Sequence, residues 1–209
     1  MAGLDDLRAE GNQRWAKAER YAQGFADNGM GEALRVYYTR YFPAGVIVYA
    51  AVLALIGPLF AGNEPTDWLF VAQLGISAFG LVAAIAGLIY NATRLKPRVE
   101  LGKNLFITLP LDKDEQKYLK RVVNGKEPTP QDPGRLTVAR SFAVQTRKNL
   151  ATNLLVVPVY SYCLAYVIED LSIFWTALFA VFVIITSLLI REFRRAGRFL
   201  AITAPQSPS

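Results

Sequence analysis

The sequence has no histidine and a single cysteine among its 209 residues, and these two shortages remove several kinds of chemistry at once. Imidazole acid–base catalysis, histidine metal ligation and cysteine clusters all need residues that are missing. A disulfide within the chain cannot form. Charge is missing too, but locally: residues 41–63, 68–93, 149–168 and 171–190 contain no Asp, Glu, Lys or Arg. A bilayer core of roughly 30 Å takes about 20 apolar residues in a helix that rises about 1.5 Å per residue, and all four stretches reach that length. A soluble helix of this size shows a polar face; the second and fourth stretches have almost none. Spans are therefore expected near Pro43–Phe60, Trp68–Tyr90, Leu150–Ile168 and Ile173–Ile190. The third is the most diluted, by Asn153, Pro158, Tyr160 and Tyr162.

Lys and Arg are absent from the two short connections, Ala61–Asp67 and Glu169–Leu171, whose only charges are Glu64, Asp67, Glu169 and Asp170. The 23 basic residues lie elsewhere, six in 1–42, thirteen in 91–148 and four in 191–209. Short basic segments resist crossing to the far side of a membrane, so both termini and the 91–148 segment are expected in the cytoplasm of a multi-pass plasma-membrane protein. Tyr37, Tyr38, Tyr41, Phe42 and Trp68 stand at span boundaries, where interfacial rings gather. Residues 1–40 lack the short apolar core of a secretory signal, and the first span is expected to serve as the insertion signal. The fold class that follows is all-α: a four-transmembrane-helix bundle with an N-terminal amphipathic helix and a small helical cytoplasmic loop. Its parts are a cytoplasmic region at 1–42, hairpins at 43–90 and 149–190, the loop at 91–148 and a basic tail at 191–209.

The net charge of +6 belongs to the cytoplasmic surface of this arrangement. Arg94, Lys96, Arg98, Arg147, Lys148, Arg191, Arg194, Arg195 and Arg198 flank the spans and are candidate contacts for lipid headgroups, anionic ones in particular. No nucleic-acid-binding module accompanies the charge, so the partners expected are membrane lipids and a membrane protein or second copy, not nucleic acid.

On the cytoplasmic side, Leu4, Leu7, Gly11, Trp15, Ala18, Ala22 and Phe25 recur at helical spacing over 4–25. Asp5 and Asp6 suit the positive N-terminal end, and Glu10 can pair with Arg14 one turn on. The stripe is thin, fit to lie on the bilayer surface or against the central loop. Gly24, Asn28, Gly29 and Gly31 break the helix. In the loop, Leu105, Phe106, Ile107 and Leu109 are expected to pack on the membrane or form a short strand. Asp112 or Asp114 then caps a helix over Glu115–Val123, with Tyr118, Leu119, Val122 and Val123 as its apolar side. Asn124-Gly125 ends it, and a proline-containing turn over 127–134 leads to a helix at Arg135–Lys148 that can continue into the third span. The run from Leu111 to Pro128 (LDKDEQKYLKRVVNGKEP), followed by Asp132 to Arg140 (DPGRLTVAR), resembles loops of small four-span membrane proteins of actinobacteria. That resemblance implies a bacterial membrane protein and brings no activity with it.

Few residues remain for chemistry. Asp112, Asp114 and Glu115 lack the spacing of a calcium loop and are better used as helix caps. Gly75, Gly80 and Gly87 are too widely spaced for a phosphate loop, and neither catalysis nor a cofactor is expected. Cys163 reads as a small packing residue. On the third span, Asn149, Thr152, Asn153, Tyr160 and Cys163 fall on one side of a regular helix, a polar strip that should face protein. Interhelical hydrogen bonding is its plain use; lining a pore or a lipid groove is the sharper one. Pro158 withdraws a hydrogen bond from the carbonyl of Leu154. Gly80 with Ala84, and Ala83 with Gly87, allow close helix approach within the bundle or at a homodimer seam. The function expected is that of an accessory, scaffolding or assembly protein, with a small oligomeric channel or transporter as the alternative.

Overall fold

A computed structural model describes residues 2–60, 65–95, 99–100, 107–169 and 172–204, with side chains described except at 2–5, 7, 8, 65–67, 99, 100, 168 and 169. The side chains of Asp5 and of the stripe residues Leu4 and Leu7, parts of both short acidic connections, and Leu105 and Phe106 therefore fall outside the described residues. Of the described residues, 86% are helical. Among the described residues four helices are long and apolar enough to cross a membrane, over Met30–Phe60, Trp68–Leu95, Pro133–Val167 and Ile173–Ile202. The first, third and fourth continue well beyond the charge-free stretches into polar sequence.

The chain divides into two compact units. The first gathers Met1–Met30, Lys96–Leu150 and Arg191–Ser209, three segments far apart in sequence. Its elements are α1 (Ala2–Ala22), β1 (Ala26–Asp27), β2 (Val99–Glu100) and α5 (Lys113–Val123), with the first part of α6 (Pro133–Val156) and the last part of α8 (Ile173–Ile202). Ala18 and Ala22 of α1, Leu119, Val122 and Val123 of α5, Val138, Ala139 and Ala143 of α6, and Ala196 and Phe199 of α8 share one buried cluster with Ile107 and Leu111. The stripe of α1 thus lies against the loop helices, where its alanines admit close approach.

Capping fixes where these helices start. Asp112 accepts hydrogen bonds from the N–H groups of Asp114 (2.9 Å) and Glu115 (2.8 Å), and Glu115 accepts one from the N–H of Asp112 (2.9 Å), a complete capping box. α6 opens with Pro133, whose missing N–H is no loss in a first turn, and Asp132 accepts from the N–H of Gly134 (3.2 Å). Gly24 and Gly29 take positive φ (86° and 83°) on either side of β1, which pairs antiparallel with β2, Ala26 opposite Glu100. Gly31 does not break a helix. α2 (Met30–Val36) already includes it, because Asp27 accepts from the N–H of Met30 (2.9 Å) and sets the start there.

The second unit holds Gly31–Leu95 and Ala151–Ile190. α2 passes through a π-helical turn at Tyr37–Tyr41 into α3 (Phe42–Phe60). Pro43 has no N–H to offer the Thr39 carbonyl, and just before it the helix widens, with Phe42 N–H bonding to the Tyr37 carbonyl. Gly57 and Pro58 lie inside α3. α4 (Pro65–Tyr90) ends in a second π-helical turn, Asn91–Leu95. After α6 the chain tightens into a 3-10 turn at Val157–Tyr160 around Pro158 and resumes as α7 (Ser161–Glu169).

The small residues of α4 receive this turn. A Cβ at Gly80 would lie 2.3 Å from Ser161 Oγ and 2.9 Å from the Pro158 carbonyl oxygen, and one at Gly87 would lie 2.3 Å from the Leu155 carbonyl oxygen. Ser161 also donates to the Ile76 carbonyl (3.1 Å).

Candidate functional site

The flanking cations divide by what their helices do. In the last part of α8, Phe193, Ala196 and Phe199 are buried in the first unit's core. That burial turns Arg191, Arg194 and Arg198 outward on the opposite side at steps of three and four, with Arg195 half-buried. Arg94 is exposed and Lys148 half-buried, whereas Lys96 and Arg98 lie outside the described residues.

Arg147, expected at headgroup level, is instead drawn inward. It donates from Nη1 to Asp27 Oδ2, and the two side chains keep 16% and 11% of their exposure. Its guanidinium carbon lies 4.6 Å from the centre of the Phe193 ring, and a Cβ at Gly197 would approach it to 3.1 Å. Glycine at 197 leaves room for the planar group between α6 and α8 within the first unit. Arg147 Nε is buried without a hydrogen-bond partner. The pair borders a cleft of about 570 Å³, with Phe25, Thr137, Arg140, Ser141 and Leu200 also lining it. Ser141 is spent on the Ala22 carbonyl at the end of α1 (2.9 Å).

The acidic cluster is likewise occupied by protein. Arg14 donates from Nε to Glu115 (3.1 Å) and lies 3.4 Å from Asp112, with Glu10 at 4.0 Å. The hydrogen bond to Glu115, together with these carboxylates, raises the Arg14 pKa. The N–H groups of Glu115 and Asp114, aided by the Arg14 charge, hold Asp112 below the usual carboxylate range. Asp114 pairs outward with Lys117 (3.2 Å). Among the described residues no group of three or more Cys, Asp or Glu is placed to hold a metal ion.

The residues of the polar strip on the third apolar helix differ in exposure. Asn149 and Asn153 are exposed, Thr152 is half-buried, Tyr160 stacks on Phe182 (ring centres 3.9 Å apart), and Cys163 is buried. Within the 3-10 turn each residue advances the helix by about 120° instead of about 100°, which turns Tyr160 and Cys163 by roughly 60° relative to Asn149, Thr152 and Asn153. Asp27 and the pairing of Arg135 with Trp15 are not among the sequence expectations. The Arg135 guanidinium stacks on Trp15 (5.1 Å), whose ring meets Tyr118 edge-on. Asp27, three residues before the first residue of a helix and two before a glycine, carried a capping signal that could have marked it. Against known proteins, no family model, no curated protein and no solved structure matches this chain.

Proposed function

We propose that this is an integral membrane protein working by interaction, an accessory, scaffolding or assembly factor that holds a folded helical unit at the cytoplasmic face. In this reading the four apolar helices cross the plasma membrane as two hairpins, and the basic segments 1–42, 91–148 and 191–209 stay inside. Anionic lipid headgroups are contacted by Arg94 and by the exposed arginines of α8.

One observation carries the reading: the three basic segments contribute to a single buried cluster. Loops that merely connect spans would not need it. A packed unit with an outward row of Arg191, Arg194 and Arg198 offers a rigid surface for a partner. The channel alternative has less behind it. Asn149 and Asn153 are the exposed members of the strip, and they cover about 6 Å of helix, against the roughly 30 Å that a conducting path must cross.

Photo-crosslinking residues placed at Arg194 and Arg198 in native membranes test the proposal, with Leu59 as the control. A discrete protein adduct from the two arginine positions and none from Leu59 is the expected result. Lipid adducts alone at all three positions would overturn it. Reporter fusion at Glu127 tests the topology, which an external signal would reverse.

A further inference from the structure

We infer that a groove between α3 and α4 is a binding site for one anionic phospholipid, its acyl chain against an aromatic wall and its phosphate at Arg94. The groove encloses about 420 Å³ and lies entirely within the second unit. Rings from Tyr37, Tyr41, Phe42, Tyr49, Phe79 and Tyr90 line it. Three of those tyrosines have already committed their hydroxyls to backbone carbonyls: Tyr37 to Ala83 (3.4 Å), Tyr49 to Gly75 (2.7 Å) and Tyr90 to Ala33 (2.9 Å). The wall therefore offers ring surface, held in place at the hydroxyl ends. Among its lining residues Arg94 alone is charged, and it is exposed.

Two features point to an amphiphile as the occupant. From Phe79 to Arg94 the helix rises about 22 Å, more than the roughly 15 Å of one hydrocarbon leaflet. A single chain can thus run the length of the groove with its headgroup at the cation. A second copy's helix, about 10 Å across, would lie over this groove and not within it. The backbone gives an independent sign. Both π-helical turns of the chain's first two apolar helices border this groove, Tyr37 and Tyr41 from one and Thr93 and Arg94 from the other. Such turns are rare and gather at functional sites. The charge complementarity selects the headgroup: one guanidinium among interfacial rings fits a phosphate that no neighbouring choline offsets.

Native mass spectrometry of the full chain in mild detergent, titrated with phosphatidylglycerol or chain-matched phosphatidylcholine, decides the matter. One phosphatidylglycerol should be retained in preference by about tenfold, the scale of one charge-assisted contact. Arg94→Gln should make the two lipids equal. Gly45→Phe should lower retention of both, because a Cβ at Gly45 meets nothing within 4 Å and its ring would fill the groove. Ala86→Leu blocks the groove from α4 if Gly45→Phe does not fold. Equal retention of both lipids by the unaltered chain, or unchanged retention in folded groove-filling variants, would overturn the site. Neither result depends on whether the cytoplasmic unit recruits a partner.

Discussion

The hydroxyl of Tyr38 donates to the carbonyl of Leu154, the backbone group that Pro158 leaves without its helical donor. Leu154 is buried, with 4% of its surface exposed, so water cannot take the vacant place. In an apolar setting a neighbouring helix must supply the donor, and here the first apolar helix does so for the third. Tyr38→Phe should cost about 1 kcal/mol in thermal unfolding followed by circular dichroism in detergent. In a Pro158→Ala background, where residue 158 regains an N–H, the same substitution should cost almost nothing. Equal losses in both backgrounds would detach the tyrosine from the proline.

The glycines of α4 should differ in what they tolerate. Gly87→Ala puts a methyl group 2.3 Å from a backbone oxygen, whereas Gly75→Ala meets the end of the Leu53 side chain at 2.7 Å. A leucine tip can change rotamer and a helix backbone cannot. We expect Gly87→Ala to destabilise by roughly 1–3 kcal/mol and Gly75→Ala by clearly less, measured as midpoints of thermal unfolding. A reversed order would mean that α4 and the Leu155 turn separate more easily than their packing implies.

These two cases mark what a sequence can disclose. The four apolar helices follow from runs without charge, and the Asp112 cap from an acidic residue three before Glu115. Pro158 announced an orphaned carbonyl, but not that Tyr38, 116 residues away in the chain, would satisfy it. The second part of the polar strip is offset for a related reason. Projecting Asn149 to Cys163 on one wheel assumes a constant turn angle, and the tightening at Val157–Tyr160 breaks that assumption. Arg147 looked like a headgroup contact because its partners, Asp27, Phe193 and Gly197, come from other segments.

The Arg147–Asp27 pair is buried enough that losing one member should be costly. Arg147→Met leaves the Asp27 charge uncompensated and should destabilise the first unit by about 3 kcal/mol. Asp27→Asn retains an oxygen for the Met30 N–H but strands the guanidinium, with a similar loss. Combined, the two substitutions should cost less than the sum of the singles, read as protection of 1–30 and 133–150 against limited proteolysis. Additive losses would show that the two side chains stabilise the unit separately.

Ser141, only 3% exposed, donates to the Ala22 carbonyl at the C-terminal end of α1. That carbonyl has no partner further along the helix, so Ser141→Ala should cost about 1–3 kcal/mol. It should also speed amide hydrogen exchange in the last turn of α1 while leaving α3 and α4 unchanged. Uniform acceleration across both units would point to global loosening instead.

The Asp112 cap gives a pH dependence whose sign follows from its depressed pKa. The N–H groups of Glu115 and Asp114, with the charge of Arg14, favour the carboxylate over the acid. Its contribution to stability is therefore full above the ordinary Asp value of 3.8 and is lost as pH falls through the lower folded value. Arg14, whose pKa is raised, stays charged throughout and adds no titration of its own. Asp112→Asn keeps a capping oxygen without the charge. The substituted chain should accordingly be less stable at neutral pH, and its unfolding midpoint should converge on that of the unaltered chain as pH falls below the ordinary Asp value of 3.8. A gap that stays constant across this range would assign the cap's stabilisation to hydrogen-bond geometry alone and not to the carboxylate charge that Arg14 faces.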